Sequence, residues 1–453
     1  MLNIFWFRRD LRLEDNAGLY HALRAGLPVL PVFIFDTGIL DKLNDRSDPR
    51  LGFIHDTIKQ LSARLEELGT TLLIRHGKPA DIWAELAQLF PIQTVFANRD
   101  YEPYAIARDE SVKNLLAAQQ IGFKTYKDHC IFEHLEVAKS DNSPYSVFTP
   151  YSKQWLRVLE SKKDKKGAHF YTKSYPTEAY FANFFAHLPT GIPSLERLGF
   201  SLSQIPIPSA EIPTEILKNY TEGRENPAQK GTSRLGIHLR FGTISIRKLA
   251  QIAQKTNQTF LNELIWRDFY LMILANYPHV VKSGFRPDYD RISWLNNPQD
   301  FELWKAGKTG YPLVDAGIRE LNKTGFMHNR VRMVVASFLT KHLLVHWSWG
   351  EAYFAEKLLD FELASNNGGW QWASGSGTDA APYFRIFNPQ AQQEKFDSKF
   401  AYIRRWVPEY GTDKYSKPMI AHVIARERCL AAYKKVLKPT ETVSNTQSEL
   451  DFG

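Results

Sequence analysis

The chain has 453 residues, of which 43% are hydrophobic and 23% are charged, a composition that excludes both a disordered chain and a membrane-embedded protein. Because this length exceeds what one hydrophobic core usually supports, we expect two domains. The formal net charge of +8 favours a polyanionic partner, since phosphates that are neutralised by lysine and arginine release their counterions.

The N-terminal stretch "MLNIFWFRRDLR" is typical of a strand followed by charged residues, and not of a signal peptide. No apolar run is long enough to cross a bilayer, so we expect a cytoplasmic protein without a membrane partner. The two cysteines, Cys130 and Cys429, are far apart and neither belongs to a CxxC pair. We therefore expect no disulfide and no metal site.

In the first part of the chain, apolar runs alternate with stretches of helical periodicity. Strands are predicted at residues 2–7, 28–35, 70–75, 94–98 and 123–127. This alternation predicts an α/β domain over residues 1–130, with a Rossmann-like, doubly wound parallel sheet. No GxGxxG follows the first strand, so the usual dinucleotide fingerprint is missing.

The rest of the chain has a different character. Repeated Pro and Ser predict a long connector that holds some helix over residues 131–210. Helical patterns dominate residues 211–436 and strand signals nearly vanish there, so the second domain is predicted to be all-helical. Residues 437–453 are polar, which predicts a disordered tail.

In "NELIWRDFY", helical spacing places Glu263, Trp266, Arg267 and Tyr270 on one face. An acid among apolar and aromatic residues is costly to bury without a partner, which favours a functional role. The alternative is an ordinary ion pair between Glu263 and Arg267 on a solvated face.

In "MHNRVRM", Asn329, Arg332 and Met333 share a helical face, where a carboxamide would offer a hydrogen bond in an apolar wall. An ordinary amphipathic helix would explain the same pattern. In "KGTSRLG", the hydroxyls of Thr232 and Ser233 with Arg234 could bind a phosphate, although a helix N-cap is the commoner outcome.

The stretch "NNGGWQWASGSGTDAAPYFRIFNP", residues 366–389, places two Trp beside two Gly. Glycine lets the backbone approach a ligand closely, and an indole can wall a flat aromatic guest. A loop with two core tryptophans is the alternative interpretation.

Together these motifs resemble the DNA photolyase and cryptochrome family, and within it most closely the class I cyclobutane pyrimidine dimer photolyases. The resemblance covers nearly the whole chain, including "WFRRDLRLEDN", "YSVFTPYSKQW", "GTSRLG", "ELIWRDFY" and "GYPLVDAGIRELNKTGFMHNRVRM". It implies an antenna-type α/β domain and a helical domain that binds FAD and damaged DNA. The implied reaction is light-driven repair, in which excited reduced FAD passes an electron to a flipped-out dimer and recovers it after the dimer splits.

The resemblance also implies cofactor contacts. Those on the phosphate side of FAD are Tyr220, Thr232, Ser233, Arg234 and Leu235. Those along the flavin are Asn329, Arg332, Asp360, Glu362 and Asn366. Glu362 departs from the Asp that family members commonly carry. Asn366 matches the position facing flavin N5, where a carboxamide cannot act as an acid, which favours a flavin that stays reduced.

Further roles follow from the same resemblance. Trp266 and Trp372 would wall the lesion, Glu263 and Asn329 would hydrogen-bond its bases, and Met333 would contact it. The residues expected near the DNA backbone are Arg224, Arg267, Arg330, Arg385 and Lys395. An electron-transfer chain would consist of Trp370, Trp347 and Trp294, each of which could equally be a core indole.

Glu102 matches an acidic antenna contact, but the chain lacks the His that folate-binding relatives carry, so a folate, a deazaflavin, a second flavin or no antenna are all open. We expect UV-damaged DNA as the partner, no obligate protein partner and a monomer. Alternatives are a cryptochrome that signals to a protein, a (6-4) photolyase, and a flavin-bearing nucleic-acid binder without catalysis. Asn329 and Met333 stand where (6-4) photolyases carry histidines, which favours the cyclobutane dimer.

Overall fold

The computed structural model describes residues 1–163, 167 and 169–437. The predicted tail, residues 437–453, lies outside the described residues except for its first residue. The described chain divides into two compact units. Unit 1 consists of Met1–Pro278, Glu320–Met327 and Tyr353–Asn366. Unit 2 consists of His279–Arg319, His328–Ala352 and the described residues from Asn367 onward.

Unit 1 contains a five-stranded sheet in which every neighbouring pair of strands is parallel and the strand order is β3-β2-β1-β4-β5. The strands are β1 (Leu2–Phe7), β2 (Val29–Asp36), β3 (Leu73–Gly77), β4 (Ile92–Asn98) and β5 (Gly122–Tyr126). The strand order reverses at β1, which pairs with β2 on one side and with β4 on the other. The predicted doubly wound parallel sheet is therefore confirmed.

Helices cover both faces of this sheet. The first five are α1 (Ala17–Leu23), α2 (Thr37–Leu40), α3 (Pro49–Glu67), α4 (Pro79–Leu89) and α5 (Pro103–Ala118). Successive strand residues point to opposite faces. Ile4 and Trp6 of β1 accordingly share a core with α4 and α5, whereas Phe5 and Phe7 share a core with α1 and α3.

Local sequence explains where some of these helices begin. The Asp48 carboxylate accepts a hydrogen bond from the Arg50 N–H at 2.9 Å, and Pro49 occupies the first position of α3. A carboxylate at the N-cap satisfies a helix N–H that has no partner in the first turn, and proline has no N–H to satisfy. The Asn16 side chain caps α1 in the same way.

Beyond the sheet, the described chain consists of helices and connecting segments. The α-helices are α6 (Phe148–Ser161), α7 (Thr214–Lys218), α8 (Tyr220–Gly223), α9 (Gly236–Phe241), α10 (Ile246–Thr256), α11 (Gln258–Asn276), α12 (Pro298–Lys305), α13 (Pro312–Thr324), α14 (Asn329–Ser337), α15 (Trp347–Lys357), α16 (Leu363–Ser374), α17 (Pro389–Phe396), α18 (Ala401–Trp406) and α19 (His422–Lys434). Short 3-10 helices span Phe170–Thr172, Thr177–Asn183, Pro278–Val281 and Pro287–Arg291, and a π-helical turn spans Phe338–His342.

The predicted fold class, an α/β region followed by helices, is confirmed. Between residues 211 and 437, all of which the structure describes, no strand is formed. No helix in the described ranges is both long and apolar enough to span a bilayer. The proposed boundaries of the antenna-type domain, the connector and the FAD-binding domain remain predictions.

Candidate functional site

Helix α11 in unit 1 carries the predicted lesion-contacting face. It begins at an Asn257 cap, whose side chain accepts a hydrogen bond from the Phe260 N–H at 3.1 Å. Glu263 pairs with Arg224 at 2.6 Å between Oε1 and Nη1. The two charged residues of the "NELIWRDFY" face have different partners, because Arg267 pairs with Glu362 at 2.9 Å. Glu263 and Arg267 therefore do not form the ion pair with each other that the alternative interpretation predicts.

The protonation of Glu263 is set by two opposing effects. Burial raises the pKa of its carboxyl group above the ordinary value, and the charge of Arg224 only partly offsets that rise. Desolvation disfavours the charged form of a carboxyl group, whereas a nearby cation favours it. Glu263 thus gains the protonated form, a hydrogen-bond donor, more readily than an exposed glutamate does.

Trp266 is half-buried, and its indole contacts three aromatic rings. Its indole stacks on Phe148 with ring centroids 3.6 Å apart and an interplanar angle of 4°. Phe269 meets it edge-on at 5.6 Å, and the Tyr270 ring lies at 5.5 Å. The indole plane is therefore defined by three neighbouring rings.

Glu362 lies in a network of buried charges. Its Oε1 accepts hydrogen bonds from Arg9 Nη2 at 2.8 Å and from Arg267 Nη2 at 2.9 Å. Burial would raise the pKa of this carboxyl group, but Arg267, Arg9 and Arg240 hold it below its ordinary value. The residue that departs from the family pattern thus serves, within unit 1, as a bridge between two arginines. Arg267, predicted near DNA, is itself buried and also donates to the His129 carbonyl oxygen.

The segment predicted to bind phosphate lies close to one predicted flavin residue. Arg234 has a positive φ of 53°, and its guanidinium lies 4.2 Å from the centre of the Phe326 ring. A Cβ atom on Gly236 would come within 2.6 Å of Asp360 Cβ, so only glycine allows this approach. Tyr220 is buried and its ring lies 5.1 Å from Phe260.

These donors fit a dinucleotide. Thr232 and Ser233 are partly exposed and supply hydroxyl groups, Arg234 is exposed and supplies a fixed cation, and Leu235 is buried behind them. Phosphate oxygens accept hydrogen bonds from hydroxyl and guanidinium groups. Asp360 and Asn366, both partly buried, add a carboxylate and a carboxamide that could bind the edge of a flat heterocycle.

In unit 2, helix α14 carries the "MHNRVRM" motif. The His328 side chain caps this helix by accepting the Arg330 N–H at 3.2 Å, and it is buried. Arg330 is also buried, with its guanidinium 4.2 Å from the centre of the Phe396 ring and 4.0 Å from Met333 Sδ. Asn329 is exposed in the described chain, whereas Arg332 is partly buried.

Helix α16 positions two predicted tryptophans through neighbouring carboxamides. Asn367 donates to the Val280 carbonyl at 3.0 Å, and Gln371 donates to the same oxygen at 2.8 Å. Both side chains are buried. They alternate along the chain with Trp370, which is buried, and Trp372, which is partly buried. The hydrogen bonds of Asn367 and Gln371 thus fix the helix that presents both indoles.

The three tryptophans of the predicted electron-transfer chain all lie in unit 2. A Cβ atom on Gly350 would overlap the ring of Trp370, so the Trp370 indole packs directly on the backbone of α15. Gly350 lies about one helical turn after Trp347 in this helix. Trp347 lies 5.2 Å from the His346 ring, which in turn lies 5.3 Å from Trp294. Trp370 and Trp347 are buried, whereas Trp294 is partly exposed. This gradient of exposure fits an outer position for Trp294.

The remaining predicted cations differ in their surroundings. Arg385 and Lys395 are exposed in unit 2, and Arg224 is partly buried beside Glu263 in unit 1. Glu102, the predicted antenna contact, accepts a hydrogen bond from Arg9 at 3.1 Å and pairs with Arg240. Its carboxylate therefore belongs to the same charge network as Glu362.

Sequence patterns did not reveal several residues that hold these groups in place: Phe148, Trp155, Asp268, Asn367 and Gln371. Asp268 accepts hydrogen bonds at one oxygen from the Ile131 and Phe132 N–H groups and from the Trp155 indole. Asp268 could have been identified from the sequence, because it is an acidic residue among the apolar residues of α11. The other four matched ordinary helical patterns, which gave no reason to separate them from their neighbours.

Two family models match the chain. The model described as DNA photolyase matches residues 3–168, and the one described as the FAD binding domain of DNA photolyase matches residues 260–412. The second match contains Glu263, Trp266, Asn329 and Asn366.

Known proteins match nearly the full length. The deoxyribodipyrimidine photo-lyase of Halobacterium salinarum is 36% identical over 441 residues, which cover 90% of this chain and 89% of that protein. A bacterial class III photolyase from Agrobacterium tumefaciens has a similar structure, with a TM-score of 0.82 and 32% identity over 96% of this chain and 97% of that chain. An archaeal photolyase from Sulfolobus tokodaii, solved with two FAD molecules, has a TM-score of 0.81 and 34% identity over 96% of this chain and 100% of that chain.

Proposed function

This chain belongs to the DNA photolyase family, and we propose that it uses light to split cyclobutane pyrimidine dimers in DNA, with FAD as its cofactor. One observation carries the proposal: a relative named deoxyribodipyrimidine photo-lyase matches 90% of this chain at 36% identity. We also propose that the protein acts as a cytoplasmic monomer of the class I type.

The chemistry that reduced FAD supplies when bound is a light-excited electron for the dimer, which returns after the ring has opened. In our proposal Thr232, Ser233 and Arg234 hold the phosphates, supported by Tyr220 and Leu235. The residues that we propose along the flavin edge are Asn329, Arg332, Asp360, Glu362 and Asn366. Because the Asn366 carboxamide cannot donate an acidic proton, it favours the reduced, anionic form that repair requires.

The dimer must leave the helix to be reached, and photolyases are among the enzymes that extrude their target nucleotide. Trp266 and Trp372 would then form apolar walls, with Met333 as a further contact. Asn329 would hydrogen-bond the bases. Neither Asn329 nor Met333 can transfer a proton at neutral pH, which favours the cyclobutane dimer over a (6-4) photoproduct.

Glu263 would act at the pyrimidine carbonyl, where negative charge develops after electron uptake. A hydrogen-bond donor placed at such an oxygen stabilises the charged intermediate. The raised pKa of Glu263 supports this role, since the protonated carboxyl group is a donor. In our proposal a phosphate oxygen competes with Glu263 for the Arg224 guanidinium, which is paired with Glu263 at 2.6 Å.

DNA binding would use cationic side chains. Arg224, Arg385 and Lys395 are the proposed direct backbone contacts, and the net charge of +8 supports them. Arg267 and Arg330 are buried, so in our proposal they act on the phosphates through their charge and not by direct contact. Arg385 and Lys395 are exposed and can reach a phosphate directly. Electron supply to oxidised flavin would run through Trp294, Trp347 and Trp370.

The proposal is tested by repair of an oligonucleotide that contains one thymine dimer, with chemically reduced, FAD-loaded protein. We expect intact thymines to reappear under near-UV or blue light and not in darkness. The variant Glu263→Gln retains N–H donors on an uncharged, non-ionisable side chain, and Glu263→Ala removes the donor. We expect the repair yield per absorbed photon to fall in Glu263→Ala by about tenfold, the effect of losing one hydrogen bond of about 1.4 kcal/mol, and to fall less in Glu263→Gln.

Glu222→Gln is a matched control, because Glu222 is an exposed carboxylate on α8 close in sequence to Arg224. Its yield and FAD content should equal those of the parent protein. Absence of light-dependent repair by the reduced parent protein would overturn the proposed function. An unchanged yield in Glu263→Ala would remove only Glu263 from the mechanism.

A further inference from the structure

The Phe148 ring on helix α6 stacks on Trp266, which belongs to the predicted lesion-contacting face of α11. We propose that Phe148 is a positioning residue for lesion recognition: it covers one face of the Trp266 indole and fixes the plane against which a flipped-out dimer packs. This inference rests on the proposed function, because it concerns the guest that Trp266 receives.

The geometry of the pair supports this role. The two rings are nearly parallel, at 4°, with centroids 3.6 Å apart, so they overlap almost fully. Aromatic pairs generally prefer offset or edge-to-face arrangements over full face-to-face overlap. The overlap is therefore imposed by the two helices that carry the rings, and it leaves Trp266 little freedom to tilt.

Helix α6 is held on α11 by contacts that do not involve Phe148. Tyr151 lies 5.2 Å from Phe269, and the Trp155 indole donates to Asp268 at 3.0 Å. Residues 148, 151 and 155 lie on one face of a helix, three and four positions apart. Tyr151 and Trp155 are 1% and 0% exposed, so they anchor the helix, whereas Phe148 is half-buried at its first residue.

The covered face determines where a guest can lie. Because Phe148 occupies one face of the indole, a flat base can stack only on the opposite face. The edge of Phe269 meets the indole at 82°, which limits sliding within the plane. If Phe148 were absent, the indole could adopt other rotamers, and binding a dimer would cost the conformational entropy of selecting one.

The test is a double-mutant cycle on FAD-loaded protein in the dark, measuring dissociation constants for a dimer-containing oligonucleotide and for the same oligonucleotide without damage. We expect Phe148→Ala to weaken binding of the dimer by about three- to tenfold, the range of an aromatic pair. Binding of undamaged DNA and FAD content should not change. In the Trp266→Ala background, Phe148→Ala should cause no further loss, because the two residues act as one unit.

Two further variants separate positioning from general stability. Phe148→Tyr retains the stacked ring and should bind the dimer as the parent protein does. Phe170→Ala removes an aromatic ring that is 61% exposed elsewhere in unit 1, and it should leave dimer binding unchanged.

An equal loss in both backgrounds, or undiminished dimer binding by Phe148→Ala, would overturn the positioning role while the proposed function stands. The same holds if Trp266→Ala binds the dimer as well as the parent protein does. A parent protein that binds damaged and undamaged DNA alike would instead overturn dimer recognition itself, and with it the proposed function.

Discussion

In unit 1, the buried Arg9 and Arg247 are each bonded to at least two carboxylates, whereas in unit 2 the buried Lys341 and His342 side chains hydrogen-bond to a carbonyl oxygen and to a second imidazole. Arg247 pairs with Asp15 at 2.9 Å and with Asp128 at 2.7 Å. Lys341 Nζ donates to the Tyr383 carbonyl at 3.0 Å and lies 4.7 Å from the centre of the Tyr433 ring. His342 bonds to His422 at 2.8 Å.

Burying a cation is energetically unfavourable, and the two arrangements compensate for this differently. Burial alone would raise the pKa of Asp128, but Arg12 and Arg247 hold it well below its usual range, so this network stays charged. Burial lowers the pKa of Lys341 to about 8 and that of His342 to about 3, so these groups lose their protons readily. Pairing preserves a buried charge, while the absence of a counter-charge favours the neutral form.

The largest effect is expected from Arg247→Met in the paired network. This change leaves the Asp15 and Asp128 carboxylates buried beside fewer cations, and breaking a buried pair costs about 3–5 kcal/mol. We therefore expect the free energy of unfolding in urea to fall by that amount at neutral pH. The loss should shrink as the pH falls, because protonated carboxyl groups no longer need the cation.

Lys113→Met is the control for Arg247→Met. Lys113 pairs with Glu110 at 3.2 Å, and both side chains are more than half exposed, at 55% and 57%. An exposed pair of this kind contributes about 0–1 kcal/mol. An equal decrease in the free energy of unfolding in both variants would show that a buried ion pair does not contribute more to stability than an exposed one.

A smaller effect is expected at Asp268, a buried acid of unit 1 held by N–H donors. Burial raises its pKa to about 6 although the Trp155 indole and the Phe132 N–H partly offset the rise. Because this folded pKa exceeds that of the unfolded chain, the native state binds more protons and stability falls as the pH rises. Between pH 4.5 and 6.5 the contribution should fall by about 2 kcal/mol, and Asp268→Asn should abolish that slope.

The measurement for Asp268 is urea unfolding at several pH values, with Asp81→Asn as an exposed matched variant on α4. Asp81→Asn should retain the slope of the parent protein. A slope that persists in Asp268→Asn would assign it to other carboxyl groups.

The smallest effect is expected at Lys341 in unit 2. Its folded pKa of about 8 lies below that of an unfolded lysine, so stability should rise by about 1 kcal/mol between pH 8 and pH 9. In Lys341→Met this rise should disappear. Lys434→Met, at an exposed position of α19, should keep it. A rise of the same size in Lys341→Met would contradict the low pKa of the buried amine.

Local sequence predicted the sheet well because each buried strand is a short apolar run that is visible in the sequence itself. The run from Leu2 to Phe7 was predicted at its observed bounds. Thr70, Thr71 and Leu72 were wrongly included in the third strand, which begins at Leu73. Both threonines have high strand propensity, but Thr70 instead donates through its hydroxyl to the Phe185 carbonyl at 2.6 Å. That partner lies 115 positions away, and no local pattern contains it.

Sequence motifs predicted the residues of the candidate site, but they did not predict the contacts that hold those residues in place. Glu263 stood out as an acid among apolar residues, and the structure gives it a cation as a partner. Arg267 carried no sign of burial, because its partner Glu362 lies 95 positions further along the chain. Phe148 and Trp266 are separated by more than a hundred residues, so their stacking depends on how α6 packs on α11.

The hydrogen bond between Arg9 and Glu362 joins residues that are 353 positions apart. At a synthesis rate of about 5–20 residues per second, the arginine is made roughly 20–70 s before its carboxylate partner. The sheet can form during that interval, but unit 1 is complete only when its last segment, Tyr353–Asn366, has emerged from the ribosome. Until then Arg9 and Arg267 lack the carboxylate that joins them, so this part of the charge network is completed late in translation.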